Sequence, residues 1–218
     1  AESTRPGATA VEAATEAERV VPVIEALAKH VAVPISIDTS KPEVMRAAIA
    51  AGAGFINDVY ALRRGGALDA AAELKVPVVL MHMQGEPRTM QENPRYEDVV
   101  AEVHRFLAER VFACEMSGMD KRRVLVDPGF GFGKTLEHNL ALLRALERFR
   151  DLAAGVFAGV SRKAMIGALT GRAGGAGRAA GSAAAALVAV QRGAAIVRVH
   201  DVAATRDALA VWQAVHAV

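Results

Sequence analysis

The 218-residue sequence has little of what marks several common classes of protein. Its single cysteine, Cys114, excludes a disulfide within the chain, and we expect a buried, inert thiol in a protein of a reducing compartment such as the cytoplasm. The longest apolar run, within residues 178–191, is too short to span a bilayer, and no signal peptide is recognised. A formal net charge of only +2 gives no reason to expect a nucleic acid or a membrane as partner.

Sequence motifs of several other chemistries are also missing. Gly133-Lys134-Thr135 has the ending of a P-loop, but Pro128 stands where that loop needs its first glycine. The glycines at 129, 131 and 133 alternate, which does not fit the dinucleotide fingerprint G-x-G-x-x-G. No histidine or cysteine cluster has the spacing of a structural zinc site, and no catalytic serine or cysteine constellation is found.

Short apolar runs alternate with amphipathic stretches along the whole chain. Each run is followed by a helical pattern, which is typical of repeated βα units with a parallel sheet. No linker divides the sequence, so we predict one α/β domain over residues 1–218 that forms a TIM (β/α)8 barrel, with an open doubly wound sheet as the alternative. The six predicted strands are 34–38, 55–59, 76–81, 124–127, 155–160 and 195–199.

Three polar acceptors, Asp38, Asn57 and Asp127, stand at the ends of predicted strands. In a barrel, the carboxyl ends of the strands meet on the rim where such folds carry out chemistry. Carboxylates and an amide suit the edge of a flat heterocycle that carries several N–H donors. The alternative is that each residue caps the helix that follows it.

Basic residues follow two later strands. Lys163, in Ser161-Arg162-Lys163, can bind a ligand carbonyl or ring nitrogen, although a solvated basic turn is the alternative. Arg198 and His200 are two residues apart, so they share a face of a strand and can converge on one anion. Phe130 and Phe132 either stack on a planar ligand or belong to the core.

Local details add three expectations about helices. Ser40 is predicted as the N-cap of a helix that has Pro42 in its first turn. Pro22 predicts a kink or a late start in the first helix. A single helix is predicted over residues 136–149.

Six segments, in order along nearly the whole chain, resemble bacterial dihydropteroate synthase. The strand-end Asp and Asn residues are shared more widely with pterin-binding methyltransferases, whereas S-T-R-P-G and S-R-K are specific to the synthase. The segments are Ser3-Thr4-Arg5-Pro6-Gly7, Ile37-Asp38-Thr39-Ser40, Ile56-Asn57-Asp58-Val59, the D-P-G-F-G-F-G-K run 127–134, Ser161-Arg162-Lys163 and Arg198-Val199-His200-Asp201-Val202.

The resemblance implies a transferase of folate biosynthesis, a TIM-barrel homodimer. Such an enzyme condenses dihydropterin-CH2-pyrophosphate with p-aminobenzoate, releases pyrophosphate with Mg²⁺ assistance, and is the target of competing sulfonamides. It implies a pterin site, a pyrophosphate site and a p-aminobenzoate site, with Asp38, Lys163, Arg198 and His200 as the catalytic residues. The implied sets are Asp38, Asn57, Asp127, Lys163 and Arg198 for pterin, Arg198 and His200 for pyrophosphate, and Thr4, Arg5, Pro6, Phe132 and Lys163 for p-aminobenzoate.

The sequence departs from the family in two places. Ala164 replaces a serine thought to bind the benzoate carboxylate, so backbone amides there would carry more of that binding. The family's first two strands, with the asparagine linked to the metal, are expected before Ser3 and are not in this sequence, so about six of eight strands are represented and no metal ligand is expected in this chain.

Two other functions remain as alternatives to the synthase. One is a non-catalytic pterin-binding module, and the other is a corrinoid-linked methyltransferase domain that uses a pterin. The S-T-R-P-G and S-R-K motifs argue against the methyltransferase.

Overall fold

The computed structural model describes residues 2–4 and 9–216, which form alternating strands and helices. All six predicted strands are confirmed; the fourth has the predicted bounds and the other five are somewhat shorter than predicted. The strands are Ser36–Asp38 (β1), Phe55–Asp58 (β2), Val78–Met81 (β3), Val124–Asp127 (β4), Gly155–Ala158 (β5) and Ala194–Val197 (β6). The helices are Ala13–Ala28 (α1), Pro42–Ala50 (α2), Ala67–Leu74 (α3), Val99–Met116 (α4), Leu136–Arg144 (α5), Ala164–Thr170 (α6), Ala179–Gln191 (α7) and Val202–His216 (α8).

The six strands form one parallel sheet in chain order, β1-β2-β3-β4-β5-β6. This order excludes the doubly wound alternative, in which the strand order reverses at a switch point. The sheet is curled, since Arg198, just after β6, approaches to 4.0 Å from Asp38 at the end of β1 although these strands are the two edges. The predicted barrel architecture, with about six strands in this chain, is therefore confirmed.

The core lies between the sheet and the surrounding helices. Strands β3 and β5 are buried along their whole length, which matches their continuous apolar sequences. On α7 the buried positions are small, and the methyl of Ile166 lies so close that a Cβ at Gly181 would be 2.7 Å from it. Cys114 is fully buried, and this burial raises the pKa of its thiol to about 11. None of the described helices combines the length and apolar character of a membrane span.

Three expectations about helix details are wrong, namely the N-cap at Ser40, the late start of the first helix and the single helix over 136–149, whereas Pro42 does lie in the first turn of α2 and a kink at Pro22 stays a prediction. The N-cap of α2 is Lys41, because the Ser40 hydroxyl donates instead to the buried carboxylate of Asp58. α1 begins at Ala13 and includes Pro22, which lies exposed, where water can satisfy the carbonyl that the proline leaves unpaired. The predicted helix over 136–149 ends at Arg144 and is followed by a separate 3-10 helix, Leu146–Leu152.

Candidate active site

A cavity of about 1050 Å³ opens at the carboxyl ends of the strands. Residues that follow five of the six strands line it, so the curl of the sheet brings the predicted rim together. The predicted site residues on its walls are Thr4, Asp38, Asn57, Asp127, Phe132, Lys163, Arg198 and His200. Arg5 and Pro6, the other two, lie outside the described residues.

Asp38 and Asn57 are neighbours on one wall because they are paired in the register of β1 and β2. Burial raises the pKa of Asp38, an effect opposed by the Arg198 guanidinium and by the Asn57 side chain. The Asn57 Oδ1 is buried and accepts no hydrogen bond within the described part of the chain. A buried amide oxygen without a donor costs free energy, so a ligand with an N–H group in this position would be favoured.

Asp127, at the end of β4, is 5% exposed. Its Oδ1 accepts a hydrogen bond from the Gly129 backbone N–H at 2.7 Å, a bond made possible by the turn at Pro128. Burial raises the pKa of Asp127 to about 6, although the Gly129 amide, Lys163, Lys134 and Arg198 all lower it. At neutral pH the carboxylate of Asp127 is therefore mostly ionised and can accept hydrogen bonds from a ligand.

The alternative that these three residues cap their own helices is wrong. The N-cap of α2 is Lys41, that of α3 is Gly66, and that of α5 is Thr135. The three acceptors are therefore not used as helix caps and are available to a ligand in the cavity.

Lys163 is the N-cap residue of α6 and lines the same cavity as Asp38 and Asp127. Burial lowers the pKa of its ammonium to about 8, while Asp127 and Asp38 act in the opposite direction and Arg198 adds to the lowering. Its Nζ lies 4.2 Å from the centroid of the Phe132 ring, a cation–π contact. The alternative of a solvated basic turn is wrong for Lys163.

The turn that carries Lys163 is held from two sides. Arg162 has a left-handed backbone, with φ of 57°, and its guanidinium makes a bidentate pair with Asp201 at 2.7 and 3.0 Å. The guanidinium of Arg178 donates to the carbonyls of Arg162 and Lys163 at 3.1 and 3.2 Å. A non-glycine residue in this region of backbone space is strained, and the hydrogen bonds offset the strain.

Arg198 and His200 project into the same cavity, as the spacing of two predicted. His200 Nδ1 lies 3.0 Å from the Ser161 hydroxyl, and burial together with Arg162 and Arg198 lowers the pKa of its ring. The Arg198 side chain is 62% exposed, and its contact with Asp38 is long. A guanidinium with most of its donors free can bind an arriving anion.

The two phenylalanines have different positions. Phe130 is 1% exposed and belongs to the main core, whereas Phe132 is partly exposed and lines the cavity beneath Lys163. Glu2, just before Thr4, pairs with Lys41, which also pairs with the fully buried Glu16 at 2.5 Å. These ion pairs anchor the chain close to Thr4, and both Thr4 and Ala164 line the cavity.

Sequence reasoning missed three residues that hold the glycine-rich loop at 129–134. Asn139 Oδ1 accepts from the Gly131 N–H at 2.7 Å, and Gln91 donates to the Gly131 carbonyl at 2.5 Å. Lys134 Nζ donates to the Phe132 carbonyl at 2.9 Å. The one signal in the sequence is a lysine directly after a glycine-rich strand end, where it resembles the ending of a P-loop.

The family described as "Pterin binding enzyme" matches residues 1–200 of the chain. Its match includes every strand and the whole set of rim residues described above. The chain belongs to this family of pterin-binding enzymes.

Three similar proteins indicate which of the pterin-binding enzymes this chain resembles in sequence and structure. The chain is 51% identical over 213 residues to the dihydropteroate synthase of Escherichia coli strain K12, which covers 98% of this chain and 75% of that protein. It is similar to a structure of Xanthomonas albilineans dihydropteroate synthase with 4-aminobenzoic acid, with 64% identity, a TM-score of 0.95, and coverage of 100% of this chain and 77% of the other. A Yersinia pestis dihydropteroate synthase in a sulfonamide drug complex has 44% identity and a TM-score of 0.96, with coverage of 100% and 78%. Within the pterin-binding enzymes, the chain thus groups with the dihydropteroate synthases.

Proposed function

We propose that the rim cavity joins dihydropterin-CH2-pyrophosphate to p-aminobenzoate, the reaction of the dihydropteroate synthases. The observation that carries the proposal is the meeting of Asp38, Asn57 and Asp127, from three strands, with Lys163 in one cavity. A pterin ring offers an edge of N–H donors to the acceptors and a carbonyl to the lysine ammonium. The unpaired Asn57 Oδ1 and the ionised Asp127 supply acceptors before the ligand arrives.

The leaving pyrophosphate concentrates negative charge as its C–O bond breaks. Arg198 and His200 lie on the cavity wall where they can stabilise that charge, and Arg198 can also pack on the pterin. The carbon left behind becomes cation-like, the pterin ring delocalises the positive charge, and the carboxylates of Asp38 and Asp127 favour it. The arylamine then attacks this carbon, so the reaction requires no nucleophile from the protein.

The second substrate is proposed to bind between Lys163, Phe132 and the segment that begins at Thr4, with Arg5 and Pro6 completing that segment. Phe132 offers a ring face at the cavity wall, and Lys163 offers a donor beside it. The relatives crystallised with 4-aminobenzoic acid and with a sulfonamide drug support p-aminobenzoate as substrate and sulfonamides as competitors.

Mg²⁺ is proposed as a companion of the pyrophosphate. Among residues 2–4 and 9–216, no three or more acidic, histidine or cysteine side chains are arranged to hold a metal. The residues present therefore do not fit a site made by the protein alone. Magnesium commonly takes most of its ligands from phosphate groups and water, with only one or two from protein.

Self-association as a homodimer is also proposed. Large apolar side chains are exposed on α7 and α8, at Val188, Val211 and Val215. An apolar surface of this kind supports an interface between protein subunits. Sedimentation analysis over a range of concentrations would test the assembly state.

Removal of either anion ligand is expected to weaken pyrophosphate binding. We expect Arg198→Ala and His200→Ala each to cost about 1.5–3 kcal/mol, the range for hydrogen bonds to charged groups. Calorimetry with pyrophosphate, alone and with Mg²⁺, measures the change, and Arg192→Ala at the exposed end of α7 is the matched control. Wild-type affinity in both site variants would mean that the anion binds elsewhere.

Pterin binding is expected to depend on pH through Asp127. Its pKa of about 6 means that the carboxylate becomes protonated below pH 6 and loses acceptor capacity, so affinity for 6-hydroxymethylpterin should fall by up to about tenfold per pH unit. Fluorescence titration at several pH values measures this. The raised pKa means that the folded state holds this proton more tightly than the unfolded state, so the contribution of Asp127 to stability increases as the pH falls. If circular dichroism at the same pH values showed that the affinity falls only where the protein unfolds, the prediction would be contradicted.

A further inference from the structure

Lys134 is a buried amine at the floor of the cavity that has no part in the reaction described above. Its side chain is 4% exposed, at the end of the glycine-rich loop. Its Nζ lies 2.9 Å from His82 Nδ1 and 2.9 Å from the Phe132 carbonyl, with the His82 carbonyl at 3.5 Å. All three partners are acceptors for an ammonium group, so its donors are used within the protein.

The proton of this pair lies on the lysine. Burial, Lys134 and Arg63 together lower the pKa of His82 to about 2, so its ring is neutral and its Nδ1 accepts. Burial and the nearby Lys163 lower the pKa of Lys134 to about 7, while the charge of Asp127 raises this pKa and so opposes both effects. In the pH range where Asp127 ionises, Lys134 is therefore positively charged.

The loop that Lys134 fastens lies directly against the end of β3. A Cβ added at Gly129 would overlap the His82 carbonyl oxygen, and one at Gly133 would lie 2.9 Å from Cβ of Gln84. The Tyr96 hydroxyl donates to the Gly133 carbonyl at 2.9 Å. Lys134 links the loop to the residues after β3, because its Nζ donates to the Phe132 carbonyl of the loop and to the His82 carbonyl.

We infer that Lys134 is a positioning residue for Asp127: it fixes the glycine-rich loop, whose Gly129 N–H binds the Asp127 carboxylate, against the end of β3, and it adds a buried positive charge to that of Lys163. The inference rests on the proposed role of Asp127 in pterin binding. It assigns Lys134 no contact with the substrate and no proton transfer.

The charges that face these groups come from four segments. Asp127 faces Lys163 at the start of α6, Lys134 in the loop and Arg198 after β6. Lys134 faces Asp127 and Lys163. His82 faces Lys134 and Arg63, which lies in the fourth segment, after β2. Of the cations near Asp127, Lys134 is the most deeply buried, so its charge is the least screened by solvent.

The test is Lys134→Met, which keeps the apolar stem and removes the charge. Titration of 6-hydroxymethylpterin from about pH 5 to about pH 7.5 should show the midpoint of the affinity loss moving to higher pH, because removal of a cation that lowers the pKa of an acid lets that pKa rise. The matched control is Leu142→Ala, a fully buried change in α5 that destabilises the fold without changing any charge. It should lower the melting temperature and leave the midpoint where it is in the wild type.

A second measurement keeps the inference testable if Lys134→Met does not fold. Coupling between two charges is reciprocal, so Asp127→Asn should lower the pKa of Lys134, which carbon NMR of labelled lysine side chains measures. An unchanged Lys134 pKa in this variant, or an unchanged midpoint in a folded Lys134→Met, would overturn the inference. If wild-type pterin affinity is itself independent of pH, the proposed role of Asp127 fails instead, so the two failures are distinguishable.

Discussion

Lys163→Ala is expected to weaken pterin binding by about 10- to 100-fold, the equivalent of about 1.5–3 kcal/mol for a hydrogen bond to a charged group. The ammonium lies at the cavity wall near Asp38 and Asp127, so its loss removes a donor to the ligand and leaves the acids less stabilised. Stability should change little by comparison. Burial lowers the pKa of Lys163, which shows that the fold disfavours its charged form.

Pterin titration and thermal unfolding of the same preparations test this first expectation. Lys121→Ala, at an exposed lysine of a 3-10 helix, is the control for removing a positive charge. Unchanged affinity with a large drop in melting temperature would show that Lys163 is structural and would refute the site assignment.

Gly129→Ala is expected to reduce the free energy of unfolding by about 3 kcal/mol or more and to remove pterin binding. Gly129 has φ of 72°, where an alanine costs about 1–2 kcal/mol, and the added Cβ would overlap the His82 carbonyl oxygen, a clash of the kind that costs about 1–3 kcal/mol more. The change would also move the N–H that binds Asp127. Both fold and site depend on this glycine.

Gly171→Ala is the matched control for this second expectation. Gly171 ends α6 with φ of 67°, and a Cβ there meets nothing within 4 Å. Its replacement should cost only the backbone strain, about 1–2 kcal/mol. Denaturant unfolding of both variants measures the difference, and equal losses would contradict the close contact between the loop and β3.

The alternation of strands and helices could be predicted from the sequence because short, mostly apolar runs such as those of β3, β4 and β5 alternate with helical patterns. The rim residues Asp38, Asn57 and Asp127 could be placed for the same reason, since each is fixed by the end of a strand. The resemblance then supplied their roles.

The errors and omissions have a common physical cause, which is competition from contacts distant in the sequence. Ser40 has the chemistry of an N-cap, but the buried Asp58 carboxylate is a stronger acceptor for its hydroxyl. Lys134 and His82 are 52 residues apart, so no local pattern connects them. The sequence could not distinguish Phe130 from Phe132. The glycine between them has a positive φ, and Phe130 is buried in the core whereas Phe132 is partly exposed.

The most direct test is product formation by the protein with dihydropterin-CH2-pyrophosphate, p-aminobenzoate and Mg²⁺. Chromatographic detection of dihydropteroate, together with a pyrophosphate assay, should show one product for each pyrophosphate released. A sulfonamide should compete with p-aminobenzoate, and Lys163→Ala should be impaired. Binding of 6-hydroxymethylpterin without any dihydropteroate, under conditions where the Escherichia coli enzyme forms it, would contradict the proposal that this cavity carries out the condensation.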